Sequence, residues 1–283
     1  LLLLQASWML GVGVLILLAV VPFHSWMPMV ARSSPPIVAA FMIAVVQAAM
    51  FFFLIDMLVQ FDWLRSNMQF FLGLRISGML MIVTGGVFVF FQRSFGGLMG
   101  YSALIDWGCT LVALGLRSPN SVGIAAMIIC TRVISLIVWG IGAGSIFDNN
   151  NTAGDVQLHI RRNPFATISM IVGGLSLAAM PLTIGFPGRW ALLQMLANVY
   201  PNYAIVLLIS GMCALMGYIR TITQMIDLTS IIDGEMYRTT SDTRGTIVLS
   251  VLLVLSSIIF GLVPQWLYPK AASIFEHIAR ILV

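Results

Sequence analysis

The chain has 283 residues, of which 60% are hydrophobic and only 8% charged, with a formal net charge of +4. A soluble domain carries roughly 25% charged residues, and no core of this length could hide so much apolar surface from water, so a soluble enzyme and a disordered chain are both excluded. The mean hydropathy of +1.02 describes a multi-span membrane protein. Its basic side chains form no polybasic run, which argues against a nucleic-acid partner. Cys109, Cys130 and Cys213 lie far apart inside apolar stretches, so they make neither a disulfide framework nor a metal set.

The sequence opens in the middle of an apolar run. Residues 1–21 are too long for a signal-peptide core and lack a small-residue cleavage site after them, so the expectation is a chain that starts inside a longer protein. A membrane span needs about 20 apolar residues. The windows 1–21, 37–61, 70–91, 97–116, 121–147, 164–184, 203–224 and 246–267 qualify, which makes eight spans when 164–200 is counted as one interrupted element. The connectors 62–69, 92–96 and 117–120 are short, whereas 148–163 and 225–245 are longer. Residues 270–283 place Ile274, Phe275, Ile278, Ile281 and Leu282 on one helical face, the pattern of a tail lying along the interface. Arg32, Arg93, Arg161, Arg162, Arg238 and Arg244 fall on one set of alternate connectors; Arg65, Arg117, Lys270 and Arg280 fall on the other. The positive-inside rule makes the first set cytoplasmic.

Two spans are interrupted in comparable ways. The first runs into Val21-Pro22-Phe23-His24-Ser25-Trp26-Met27-Pro28, and the second contains Pro181-Leu182-Thr183-Ile184-Gly185-Phe186-Pro187-Gly188-Arg189. Proline removes a backbone donor and frees carbonyls, which a bilayer tolerates only beside protein or water. A matched pair of broken helices points to an ion or substrate path in proteins built from repeats. The plainer reading is a pair of kinked, packed helices.

These same residues carry a family resemblance. Val21-Pro22-Phe23-His24-x-Trp26-x-Pro28, followed by Pro35-Pro36 and Ala40-Phe41, resembles the signature of the antiporter-like subunits of respiratory complex I. Mrp-type cation/proton antiporters and the membrane arms of energy-converting hydrogenases belong to the same superfamily. Gly100-Tyr101-Ser102 through Gly108, Pro181-x-x-x-Gly185-Phe186-x-Gly188-Arg189, and Phe260-Gly261-Leu262-Val263-Pro264 follow in the family's order. The resemblance implies an all-α integral membrane fold of fourteen core spans in two inverted five-helix repeats. The eight spans here would be the seventh to fourteenth. Residues 1–61 would then close the first repeat, 70–224 would form the second, 246–267 the last span and 270–283 the amphipathic tail.

The resemblance also implies a line of buried ionisable residues at mid-membrane, where any charge is costly and so a functional candidate. The family's lysine before the first break falls on Leu17, and its next lysine falls on Gln47; both positions are neutral here. Arg132 stands where some members have a lysine, Arg189 stands on the lysine of the second broken-helix motif, and Asp106 stands where relatives often have His or Gln. His24 is the ionisable residue left in the first half. A buried lysine can lose its proton near neutral pH, but arginine does not deprotonate, so this segment cannot build a lysine relay. Three readings follow: a degenerate, non-pumping spacer; proton movement through Asp106, His24 and water with the arginines setting the field; or a purely structural set in which the arginines hold an anion or neutralise Asp106.

Other polar residues have plainer expectations. Arg75 can snorkel from just inside its span, Arg220 and Asp56 lie near span ends, and His159 and His277 fall in a loop and the tail. The glycine pairs favour close helix contact. No cofactor-binding fingerprint for NADH, flavin, iron–sulfur or haem is present, so redox chemistry is expected in partner subunits, with other membrane-arm subunits and the bilayer as direct neighbours. The implied location is a bacterial plasma membrane, or alternatively the mitochondrial inner membrane.

Overall fold

The structure is a computed structural model; it describes residues 18–118, 120–147, 163–230 and 244–266, together with Met9, Gly13 and Ile16. Leu17, most of the first apolar window, most of both longer connectors and the amphipathic tail lie outside the described residues.

A short 3-10 turn, Phe23–Ser25, leads into α1 (Trp26–Ser33), followed by α2 (Pro36–Gln60), α3 (Asp62–Ser66), α4 (Met68–Phe91), α5 (Phe95–Gly115) and α6 (Ser121–Ile146). After the long connector come α7 (Pro164–Leu177), α8 (Phe186–Val199), α9 (Pro201–Ser230) and α10 (Arg244–Leu262), closed by a 3-10 turn, Pro264–Trp266. The starts are written locally. Pro36, Pro164 and Pro201 each open a helix, where the missing N–H costs nothing and φ is already helical. Asn67 and Ser94 cap α4 and α5 by accepting hydrogen bonds from the N–H groups of Gln69 and Gly97, satisfying donors that the helix itself cannot.

Helices α2, α4, α5, α6 and residues 201–224 of α9 are long and apolar enough to cross a membrane. The expected window 164–200 is the interrupted pair α7 and α8, and 246–267 is the shorter α10. This is a multi-pass, all-helical membrane protein. Its axis is α5: 94% of its apolar window is buried, against 39% for α2 and 33% for residues of α9. Outer helices leave large apolar side chains such as Phe41, Phe52, Val87 and Ile205 exposed, the surface a bilayer or a neighbouring subunit covers. Glycine sets the closest approach. A Cβ on Gly78 would lie 2.6 Å from the Gly108 carbonyl oxygen, and one on Gly108 would lie 2.6 Å from that of Gly78. Helices α4 and α5 therefore touch backbone to backbone, as small residues permit in membranes.

The ends of the bundle sort the arginines. Arg32 donates to Gln92 Oε1 at 2.7 Å, and Arg220 donates to the carbonyls of Phe90 and Gln92 at 2.6 and 2.5 Å, so these residues share one end and Arg220 closes the C-terminus of α4. Arg117 lies over the Phe71 ring at the opposite end. Arg75 departs from expectation. It does not snorkel: it is 7% exposed, its Nη1 donates to the Tyr200 hydroxyl, and its guanidinium stacks 5.0 Å from the Tyr200 ring. The reason is its helical face, which turns toward Gly115 and the junction of α8 and α9 and not toward lipid. Asp56, near the end of α2, is exposed and accepts from Gln60.

Candidate functional site: two helix breaks held by one central helix

Both breaks open the same way. Before Pro22, Ala19 adopts a left-handed φ of 52°; before Pro181, Ala179 adopts 57°, with Leu182 at 76°. Such backbone costs on the order of 1–2 kcal/mol per non-glycine residue and persists only where surroundings enforce it. At the second break the enforcement is visible. The Gly185 N–H donates to Ser176 Oγ at 3.0 Å, Ser176 Oγ lies 2.7 Å from Ser135 Oγ on α6, and Thr183 Oγ1 donates to the Met180 carbonyl at 2.6 Å. Gly185 has no substitute here, because a Cβ would collide with the Ser176 carbonyl oxygen.

The central helix holds both breaks through adjacent residues. Arg189, in the first turn of α8, donates from Nε to Asp106 Oδ1 at 2.6 Å and from Nη2 to the Leu177 carbonyl at 2.6 Å. Asp106 and Arg189 are each 6% exposed. One guanidinium thus pairs with the acid of α5 and satisfies a carbonyl that the end of α7 has left without a helical partner. The neighbouring Trp107 does the matching job at the first break: its Nε1 donates to the Leu18 carbonyl at 2.7 Å. A freed carbonyl in a dry interior costs about 1–3 kcal/mol if unmet, and each break has one such carbonyl met: by Trp107 itself at the first, and at the second by Arg189, which Asp106 holds.

Arg132, on α6, is 1% exposed. Its guanidinium sits over the face of Trp107, 5.6 Å from the ring centroid. Its three nitrogens have no hydrogen-bond partner among the described residues, although it lies within electrostatic reach of Asp106 and Arg189. The set therefore carries one negative and two positive side chains, with only one pair in contact. Gln47 is fully buried on α2, and its Nε2 lies 2.7 Å from Met27 Sδ of α1. His24 lies elsewhere: half-buried, it lines an open groove of about 390 Å³ with Arg32, Phe88 and Tyr101. The structure thus brings together Asp106, Arg132, Arg189, Pro181, Gly185 and Pro187, and leaves His24 and Pro22 at the other break. Trp107, Ser135 and Ser176 escaped sequence reasoning. Only the adjacency of Trp107 to an intramembrane acid marked it in the sequence.

Fold and site together define a polytopic helical membrane protein in which two discontinuous helices are held by adjacent residues of a central span, one of them through a buried ion pair. The family model described as NADH:quinone oxidoreductase/Mrp antiporter, membrane region, matches residues 1–216. The chain belongs to this family. It is 30% identical over 266 residues to NADH-quinone oxidoreductase subunit N of Methylococcus capsulatus, an alignment covering 91% of this chain and 52% of that protein. Its fold matches a chain of respiratory complex I from Thermus thermophilus with a TM-score of 0.70 at 20% identity, covering 91% of this chain and 56% of that one. A chain of the Mrp complex from Dietzia sp. matches with the same TM-score of 0.70 at 14% identity, covering 95% and 60%. The chain spans about half the length of the curated relative.

Proposed function

We propose that this chain is part of a membrane-arm subunit of a respiratory NADH:quinone oxidoreductase in a bacterial plasma membrane. Redox chemistry runs in partner subunits, and this chain couples it to proton movement. In this reading residues 1–61 close a first inverted repeat and 70–224 form the second. Likeness in sequence to subunit N supports the respiratory reading over the Mrp reading, since both folds match equally well.

The observation that carries the mechanism is the Arg189 bridge between Asp106 and the Leu177 carbonyl. Arginine keeps its proton, so Asp106 is the group that gains and loses one. In the described arrangement Arg189 occupies the carboxylate directly at 2.6 Å. When the second break flexes and withdraws Arg189, an O–H bond forms at Asp106 with a proton delivered from water. On return, the guanidinium displaces that proton to water on the other side. Arg132 keeps its charge throughout and favours release of the proton from Asp106 once Arg189 returns. Leu17 and Gln47 supply no titratable group, so the first half contributes no lysine step.

The test begins with the native assembly, purified gently, its partners identified by mass spectrometry and its NADH-dependent quinone reduction measured. Redox partners with that activity are the expected result; partners that are all transporters would establish the Mrp-type reading instead. In the assembled complex, Asp106→Asn should lower the proton-to-electron ratio while assembly and quinone reduction persist. An unchanged ratio in both Asp106→Asn and Arg189→Leu would make the ion pair structural and the chain a spacer.

A further inference from the structure

Hydroxyls buried inside this bundle are mostly tied to their own helix. Thr110, Thr131, Ser135 and Thr221 each donate to the carbonyl one turn back, where a hydroxyl in an apolar helix commonly rests. Ser102 on α5 and Tyr218 on α9 depart from this. Ser102 is 0% exposed and Tyr218 1%, yet neither hydroxyl oxygen has a hydrogen-bond partner among the described residues. A buried phenol ordinarily finds one. The two hydroxyls lie within reach of each other without the alignment of a direct hydrogen bond, and Asp106 and Arg189 lie within electrostatic reach of the same phenol.

Two independent spacings set these hydroxyls beside the ion pair. Ser102 precedes Asp106 on α5 by one helical turn, so the two side chains share a face. The Tyr218 ring lies against Gly174 of α7, where a Cβ would come within 2.6 Å of Cε1 and 3.0 Å of Cδ1. Gly174 in turn stands one turn before Leu177, whose carbonyl Arg189 holds. Both hydroxyls fall on the same side of the pair. Helix α5 starts at Phe95, at the end of the bundle where Gln92 meets Arg32 and Arg220. At about 1.5 Å per residue, Ser102 lies roughly 10 Å along α5 from that end and Asp106 roughly 16 Å. Helix α7 runs inward from the same end, since Asn163 at its start donates to the Ser145 carbonyl and Phe147 packs against Phe95. Tyr218 is on the approach: its neighbour Gly217 packs on the Val89 carbonyl, and Arg220 bonds the carbonyls of Phe90 and Gln92.

We infer that, with Asp106 as the proton-accepting group proposed above, Tyr218 and Ser102 relay protons to it from the end of the bundle that holds Arg32 and Arg220. The positive-inside rule makes that end cytoplasmic, so this is the uptake leg. A hydroxyl can accept one proton while giving up another. A proton from water at that end forms an O–H bond at Tyr218 Oη as the phenolic proton passes to Ser102 Oγ, and the proton that Ser102 held passes to the Asp106 carboxylate. Each hydroxyl oxygen makes one O–H bond and breaks one, so neither is left charged, and both turn back to reset.

The experiment uses the assembled complex in liposomes and reads three quantities for each variant: the NADH-driven proton-to-electron ratio, quinone reduction and the melting temperature. Tyr218→Phe and Ser102→Ala each remove one oxygen that holds no other group in place. Assembly, quinone reduction and melting temperature should therefore stay unchanged, while the ratio falls to the level of Asp106→Asn. Because the two hydroxyls act in series, the double variant should lose no more than either single one. Ser257→Ala removes another buried, unpartnered hydroxyl, on α10, which carries neither relay residue, and should leave the ratio intact. A normal ratio in Tyr218→Phe or Ser102→Ala beside a lowered one in Asp106→Asn overturns the relay and leaves the role of Asp106 standing. A normal ratio in Asp106→Asn overturns both. An equal loss in Ser257→Ala, or a ratio that falls only in step with melting temperature, makes the hydroxyls packing groups and overturns the relay.

Discussion

The most direct test of the site is energetic and concerns the pair Asp106 and Arg189. Both are nearly fully buried and joined at 2.6 Å, so removing either leaves the other as an unpaired charge in a low-dielectric interior. Breaking a buried pair from one side costs about 3–5 kcal/mol. Arg189→Leu also orphans the Leu177 carbonyl, adding about 1–3 kcal/mol. Asp106→Leu keeps that bond but leaves two arginines facing no acid. The double variant removes the pair as a unit and leaves the carbonyl loss and Arg132 without its acid. The two single changes should therefore exceed the double when summed, with a coupling of roughly 2 kcal/mol or more. At roughly 2–4 °C per kcal/mol for a domain of this size, each single variant should lower the melting temperature in lipid nanodiscs by on the order of 10 °C. The assay is thermal unfolding of the four proteins under one lipid composition. Additive losses would refute the reasoning, because they would show that the two charges do not feel one another inside the folded bundle.

Two further outcomes test the frame around that pair. Trp107→Phe keeps a ring beneath Arg132 but deletes the donor to the Leu18 carbonyl; it should destabilise by about 1–3 kcal/mol and raise hydrogen exchange selectively at residues 18–25, whereas a change confined to α5 would contradict the role assigned to its indole. Gln47→Leu replaces a fully buried amide whose Oε1 has no hydrogen-bond partner among the described residues with an apolar group of similar size; stability should hold or rise and the proton-to-electron ratio of the assembled complex should stay the same, and a large transport loss with normal assembly would restore the first half to the proton path.

The spans were legible in the sequence because lipid imposes its demand locally. A segment that crosses hydrocarbon must be apolar throughout and must bond its own backbone, so residues 37–61 or 121–147 announce themselves without reference to any other part of the chain. Pro36 and Pro164 mark their own helix starts for an equally local reason, and the two breaks were visible as proline clusters. The polar interior was not legible in that way. Asp106 and Arg189 are 83 positions apart, and Trp107 and the Leu18 carbonyl 89; each residue alone reads as an intramembrane charge or an apolar ring. Arg75 shows the limit most plainly: a cation just inside a span can reach for headgroups or turn inward, and only the arrival of Tyr200 from 125 residues away decides for the interior. The sequence by itself determined a membrane bundle with two broken helices, because hydrophobicity and proline act on the segment that contains them. Only the tertiary structure decided that Asp106 pairs with Arg189 while Arg132 stays without a hydrogen-bond partner among the described residues, because a buried charge is satisfied by whatever the packing of other helices places within about 3 Å of it.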